Sequence, residues 1–425
     1  MSRRKVSNRK IEIQIDSLAP GGDGAGIYGE KICFVKGAAP GDRLIVNVEK
    51  EEKKAFFCTI DKIVEPGLCR IEPECSVFNR CGGCQWQHIS YDKQAEEKKY
   101  ILERNFNLHN IEFVKSNTCF GYRRLARLHF KILKNGKSEI GFFRERAHMI
   151  EDIHECPVLK EQLSECIDII RESLFFEENE NQGELILSTG FDDNNKGVWL
   201  YIRAEKKLKQ KVLLSDFFKG VTGNIEGVEV DIAGDQAIRS TIFNNVNLLM
   251  PPGSFGQANS YINGQLIKKI IEVIKLISPV ESCVEFFSGA GNFSVFIARL
   301  VKKLDCVELD GMACRLALDN CKNEGLNNVN VHQNRSELMP DSFFLKRDLI
   351  ILDPPRTGNS VLAEKIAKSG VKNIIYVSCN PKTLKRDGEI LIKNGFKLQF
   401  LTGFDMFPQT PHIESLAFYT PTQSE

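Results

Sequence analysis

The sequence predicts a doubly wound parallel α/β domain from residue 251 onward, preceded by a small all-β module and a mixed α+β middle. Three observations predict it. Beyond Gly264, short apolar runs alternate with helical patterns. Cys283–Phe287, Leu304–Glu308, Asn328–Val331, Leu349–Leu352, Asn373–Val377 and Phe396–Phe400 read as the strands. A turn, Ser288-Gly289-Ala290-Gly291, joins the first of these to a helical pattern. Before residue 66, short strands recur between Gly/Pro turns, the pattern of a small barrel.

A chain of 425 residues is too long for one typical domain. The boundaries are placed at 1–66, 67–250 and 251–425, with a helix near 91–106 placed to pack on the last. Lys plus Arg (57) balances Asp plus Glu (56), so the net charge of +1 gives no global nucleic-acid signal; any RNA surface must be local. No apolar run approaches the roughly 18 residues that cross a bilayer, and no membrane partner is expected. The basic start Arg3-Arg4-Lys5 is followed by the strand-like Ile11-Glu12-Ile13-Gln14-Ile15 rather than an apolar leader core, so a cytoplasmic location is the default. Fourteen cysteines in such a chain argue against a disulfide framework. Cys33, Cys58, Cys119, Cys166, Cys283, Cys306, Cys314 and Cys321 stand singly and read as small buried hydrophobes.

In the β module, Ile11, Ile13 and Ile15 alternate with polar residues, and Ala19–Gly26 reads as a loop. Lys31–Val35, Arg43–Val48 and Ala55–Ile60 are further strands, with Ala39-Pro40-Gly41-Asp42 as a turn. The segments Asp16–Gly24 and Phe34–Asp42 resemble a TRAM domain, an OB-like barrel that binds RNA, and Lys5, Arg9, Lys10, Lys31 and Lys36 are candidates to meet phosphates. Tyr91–Phe106 is helical in pattern. Residues 120–250 mix strands with one or two helices, and Glu177–Asn181 reads as a surface loop.

Between these lies Cys75-x5-Cys81-x2-Cys84, with Cys156 far downstream and Cys69 as a spare. Four thiolates can hold zinc or a 4Fe–4S cluster. The isolated fourth ligand, followed by Pro157, and the glycines beside Cys81 and Cys84 favour iron–sulfur over paired zinc knuckles. Trp86 reads as a core aromatic, although Trp86, Gln87 and His88 also suit RNA support. Gly121–His129 and Gly141–Arg146 interleave arginines with aromatics, as surfaces for splayed RNA bases do; solvated strand faces give the same pattern.

A Gly-x-Gly turn alone is a nucleotide site or simply a tight turn. Here the next strand ends in Glu308, about 20 residues on, where a carboxylate meets a ribose diol. A missing third glycine argues against a nicotinamide dinucleotide. Three more segments follow strands: Asp353-Pro354-Pro355-Arg356, Ser378-Cys379-Asn380-Pro381 and Asp405–Glu414. A cysteine between a strand end and a helix start is placed for activation, because a helix N-terminus lowers a thiol pKa. Glu414 is an exposed carboxylate unless the chain folds it back beside Cys379.

The glycine segment resembles class I methyltransferases, whose glycines face the methionine part of the cofactor. The combination of Pro252–Asn259, this loop, Asp353–Arg356, Ser378–Pro381 and His412-Ile413-Glu414 resembles the RNA uracil-5-methyltransferase family over essentially the whole chain. The departures are Glu285, where the family usually has Asp, and Gly256, where it has a larger residue beside Phe255. The resemblance implies a Rossmann-like class I methyltransferase domain and S-adenosylmethionine as cofactor. It implies Cys379 as nucleophile toward uracil C6 and Glu414 as the base for the C5 proton. Gln257, Phe287, Asn292, Glu308, Asn334 and Asp353 would hold the cofactor. It also implies a 4Fe–4S cluster on Cys75, Cys81, Cys84 and Cys156. Barrel and cluster together point to 23S ribosomal RNA as substrate, its target base flipped into the site, and a monomer is expected. A tRNA substrate and a non-catalytic iron–sulfur RNA-binding protein are the alternatives. An RNA cytosine-5 methyltransferase would carry a second catalytic cysteine, which Asp353-Pro354-Pro355 lacks.

Overall fold

The computed structural model describes residues 9–145, 147–173, 181–191, 197–207, 217–254 and 256–422. Lys5, Arg146, Phe255 and positions 177–180 of the expected surface loop lie outside them; Asn181, the last position of that loop, instead begins a strand. The chain divides into two compact units. One comprises Met1–Asn110, Arg144–Ala147 and Phe407–His412; the other comprises Ile111–Phe143, His148–Met406 and Ile413–Glu425.

The first unit holds a six-stranded sheet. Its order is Lys10–Gln14, Arg43–Glu51, Ala55–Glu65, Lys31–Lys36, Gly24–Tyr28, Ser17–Leu18. Alternation sets the inner face: Ile11, Ile13, Ile15, Val35, Leu44, Val46 and Val48 are buried, while the residues between them, mostly polar but including Phe34 and Ile45, are half-buried or exposed. The glycine-rich loop expected over Ala19–Gly26 is partly strand, because Gly24 and Gly26 serve close packing. A Cβ on Gly26 would drive into the Gln14 carbonyl. Asp42 is fully buried in its turn and accepts N–H bonds from Ala39 (2.7 Å) and Gly67 (2.9 Å) and from the Arg70 guanidinium. In the same unit, Gln94 of the helix Tyr91–Phe106 donates to Gln409 Oε1 at 2.8 Å, and its Oε1 accepts the Gln409 N–H at 2.9 Å. Trp86 is fully buried, with its indole N–H on the Gly22 carbonyl. Gln87 and His88 are buried as well, so none of these three presents a face to RNA.

The second unit contains a seven-stranded sheet, a two-stranded hairpin and an eight-stranded sheet. The seven-stranded sheet runs Ile150–Asp152, Ser138–Phe143, Leu125–Ile132, Asn181–Thr189, Val198–Ala204, Phe218–Ile225, Val228–Gly234. The eight-stranded sheet runs Val329–Gln333, Lys303–Glu308, Ser282–Phe286, Leu349–Leu352, Ile374–Ser378, Glu414–Pro421, Phe396–Phe404, Glu112–Val114. Its first five strands are parallel, as the apolar runs require when helices cover both faces. Glu414–Pro421 inserts antiparallel to both neighbours. All six expected strands are present; Glu414–Pro421, from the same end of the chain, and Glu112–Val114, from much earlier in it, are the two additions. Cys33, Cys58, Cys166, Cys283, Cys306, Cys314 and Cys321 are buried as expected, whereas Cys119 is half-buried. Among the described residues no helix is long and apolar enough to cross a membrane.

Candidate active site

Open α/β sheets bind ligands at the carboxyl ends of their strands, where the strand order reverses. Here the reversal lies between Ser282–Phe286 and Leu349–Leu352. A cavity of about 520 Å³ opens there, lined by Gln257, Phe287, Asn292, Glu308, Asp353, Arg356, Cys379 and Glu414 among others.

The cofactor side is shaped by the turn after Ser282–Phe286. Phe287 sits at φ 62°, the left-handed region, which costs a non-glycine residue about 1–3 kcal/mol. Its N–H on the Val307 carbonyl (2.9 Å) holds it there. Gly291, at φ 90°, lets the loop lie against Ala317. Glu308 then closes the turn: its carboxylate accepts N–H bonds from Gly289 (3.0 Å), Leu309 (2.7 Å) and Asp310 (2.8 Å). These bonds fix the carboxylate beside the loop. Asn292 pairs with Asn263 through two amide hydrogen bonds. Gln257 reaches Asp353 at 3.4 Å. Asn334 is brought beside Phe287 and Glu308, but in an adjoining cavity of about 560 Å³ rather than in the one that holds Cys379. Glu285 is buried and bonded to Ser294 Oγ at 2.6 Å; burial pushes its carboxyl up to about 8.

The chemistry side follows from strand register. Asp353 ends Leu349–Leu352, and Cys379 ends the adjacent Ile374–Ser378. Glu414 begins the antiparallel strand, whose register pairs Ser415 with Ser378. The next step of that register sets position 414 against position 379, so antiparallel insertion answers what spacing left open. Glu414 is only 3% exposed, and among the described residues its Oε1 has no hydrogen-bond partner. Burial raises the pKa of Glu414 above the carboxylate range, and the Asp353 charge raises it further; burial raises Asp353 as well.

Cys379 departs from expectation in one respect. It does precede a helix, Pro381–Lys393, whose first turn is capped by Asn380. Its thiol is nevertheless pushed up to about 12, mostly by burial and then by the neighbouring Glu414 and Asp353 carboxylates. The largest opposing influence is the Arg356 charge. Arg356 lines the cavity and is the cation sequence reasoning missed as a participant, although it stood in the motif. Asn380 ties the two turns together: its Nδ2 donates to the Arg356 carbonyl at 2.9 Å.

The profile of the tRNA (uracil-5-)-methyltransferase family matches residues 244–421. A 23S rRNA (uracil(1939)-C(5))-methyltransferase of Vesicomyosocius okutanii is 30% identical, with 98% of this chain and 99% of that protein covered. One from Shewanella sediminis is 31% identical, covering 98% and 97%. The chain belongs to the RNA uracil-5-methyltransferase family. The solved tRNA (uracil-54, C5)-methyltransferase of Pyrococcus abyssi, in complex with S-adenosyl-L-homocysteine, superposes with a TM-score of 0.75 at 26% identity. It covers 96% of this chain and 100% of that one. The class I methyltransferase fold and S-adenosylmethionine as methyl donor follow from that membership.

Within this uracil-5-methyltransferase, the expected arginine surface needs one correction. Arg124 is 1% exposed and faces no solvent. Its guanidinium donates to the carbonyls of Thr189 (3.0 Å) and Gln257 (3.1 Å) and stacks on Phe191 at 4.0 Å. Burial pushes it down to about 9. A side chain on Gly256 would come within 3.2 Å of that guanidinium, which is the physical counterpart of the small residue there. Arg127 is exposed, whereas His129 and Phe143 are half-buried and stack on each other at 3.7 Å. Cys75, Cys81 and Cys84 are half-buried in the first unit and Cys156 is half-buried in the second. Among the described residues no set of three or more His, Cys, Asp or Glu side chains is gathered to hold a metal ion.

Proposed function

We propose that the protein transfers the methyl group of S-adenosylmethionine to C5 of a specific uridine in 23S ribosomal RNA, with Cys379 as nucleophile and Glu414 as base. The observation that carries this reading is the meeting of Cys379, Glu414 and Asp353 in the cavity that Gln257, Phe287, Asn292 and Glu308 also line. Uracil C5 is a weak nucleophile. The Cys379 thiolate adds to C6, and the electron pair of the C5–C6 bond moves toward C5 and O4 as an enolate. C5 displaces the sulfonium, taking the methyl group and leaving S-adenosylhomocysteine. Glu414 takes the C5 proton, the C5–C6 double bond re-forms, and the C6–S bond breaks to return the thiolate. Arg356, beside the thiol, favours its ionised form.

The full-length relatives named for 23S rRNA support the ribosomal substrate. The Pyrococcus abyssi structure, a tRNA enzyme, favours tRNA as the second reading. Incubating the protein with labelled cofactor and separate ribosomal RNA and tRNA pools, then mapping the product, distinguishes them. Label in tRNA alone overturns the first reading, and label in neither overturns both. A cytoplasmic location goes with either.

The N-terminal six-stranded sheet is read as a TRAM-type RNA-binding barrel, with Arg127, His129 and Phe143 as further RNA contacts. Cys75, Cys81, Cys84 and Cys156 are read as ligands of a 4Fe–4S cluster. Their donor chemistry fits, because thiolates are the usual ligands of such clusters, and the Gly83 N–H donates to Cys81 Sγ at 3.4 Å, a contact that favours a thiolate. The cluster supplies no step of the methyl transfer; its role is folding or RNA positioning.

A further inference from the structure

We propose that Asn263 is a positioning residue that fixes the Asn292 amide for the amino-acid end of the cofactor. The inference rests on reading Asn292 as a cofactor residue. Asn263 lies on the helix Ser260–Ile277, is 1% exposed and stands outside the cavity lining. Its Nδ2 donates to Asn292 Oδ1 at 2.9 Å, and Asn292 Nδ2 donates back to Asn263 Oδ1 at 2.8 Å.

A primary amide has two N–H donors and two acceptor lone pairs. The reciprocal pair uses one of each on both residues. Asn292 therefore meets the cavity with one N–H and one lone pair left, in a plane set by two bonds. Turning one amide alone would set N–H against N–H and oxygen against oxygen, so the two orientations are coupled. The remaining N–H suits a carboxylate and the remaining lone pair suits an ammonium, and the amino-acid end of S-adenosylmethionine carries both. The pair also joins the helix that follows Gln257 to the cofactor turn, which lines the cavity. Asn263 stands one turn after Asn259, whose side chain caps the helix at the Ile262 N–H and donates to Ser116 Oγ at 2.9 Å. Asn292 directly follows Gly291 of the cofactor turn.

Calorimetric titration of the full-length protein with S-adenosylmethionine tests this, alongside kcat and KM. Asn263→Ala should raise the cofactor Kd and KM about tenfold with kcat within about twofold. Asn263→Asp, the same shape without the N–H donor, should give a loss of the same order with no change of Tm beyond a few degrees. Asn292→Ala should also weaken the cofactor about tenfold. The double Ala variant should be no weaker than the weaker single, because the two act as one unit. Losses that multiply in the double variant overturn the proposal. So does a lowered Tm with unchanged cofactor Kd in both Asn263 variants. An unchanged Kd in Asn292→Ala instead sinks the reading of Asn292 itself, and this single variant reports it separately.

Discussion

Replacing Glu414 by Gln separates the two halves of the proposed reaction. The change keeps the size of the side chain and removes its ability to take a proton. Thiolate addition and methyl transfer do not need that base, whereas loss of the C5 proton does. The covalent methylated intermediate should therefore accumulate while turnover falls by about 10²–10⁴, or about 3–5 kcal/mol of barrier. The same change acts on the thiol with opposite sign. Glu414 is the next cause after burial that pushes Cys379 up to about 12. At about pH 8 such a thiol is ionised in roughly one molecule in 10⁴. In the pH range where Glu414 is charged, removing the charge should speed alkylation of Cys379, about tenfold for each unit by which its pKa falls. A denaturing gel with labelled RNA measures the adduct, and mass spectrometry of the Cys379 peptide measures alkylation. Wild-type turnover in Glu414→Gln, or slower alkylation of the thiol, would refute the reasoning.

Three further predictions follow from the same geometry. Cys379 and Glu414 must both be ionised in the working cycle and both pKa values are raised, so kcat/KM should fall as pH falls and keep rising through the alkaline range toward the Cys379 value of about 12; Arg356→Ala should move the profile alkaline by about one unit, and Arg356→Lys much less. Glu308→Ala leaves the Gly289, Leu309 and Asp310 N–H groups without their acceptor and should weaken cofactor binding about 10–100-fold by calorimetry, with a smaller effect on kcat. Asp42→Asn should cost the first unit about 3 kcal/mol in urea unfolding, or less because Arg70 is partly exposed. Hydrogen bonds from Arg70 hold the Asp42 carboxyl below its usual range against burial, so its stabilisation is present above the ordinary carboxylate pKa and is lost as pH falls through the lowered value; the variant should lose that acid dependence.

The α/β domain was legible because its strands are buried on both faces. Leu349–Leu352 is fully buried and reads as an unbroken apolar run. Cys379 and Asp353 were legible because turn residues mark strand ends directly. Glu414 was less so: its strand follows a segment of turn residues, and only antiparallel pairing sets it against Cys379. Arg124 misled, since an arginine in an alternating strand looks solvent-facing, and nothing local announces the Thr189 and Gln257 carbonyls that bury it. The thiol pKa misled for a related reason. Helix position is local, whereas burial and two carboxylates from other strands are not. Gly24 and Gly26 looked like a loop because glycine used for close packing is indistinguishable in sequence from glycine used for turning.

The central claim is that Cys379 attacks C6 of the target uracil. Substrate RNA carrying 5-fluorouridine at the target tests it most directly, because fluorine at C5 cannot leave as a proton does and the adduct cannot collapse. The account predicts a stable protein–RNA species that forms only with S-adenosylmethionine and maps by peptide mass spectrometry to Cys379. It should be absent in Cys379→Ala, which should still bind the cofactor. An adduct on another cysteine, or methylation by Cys379→Ala, would contradict it.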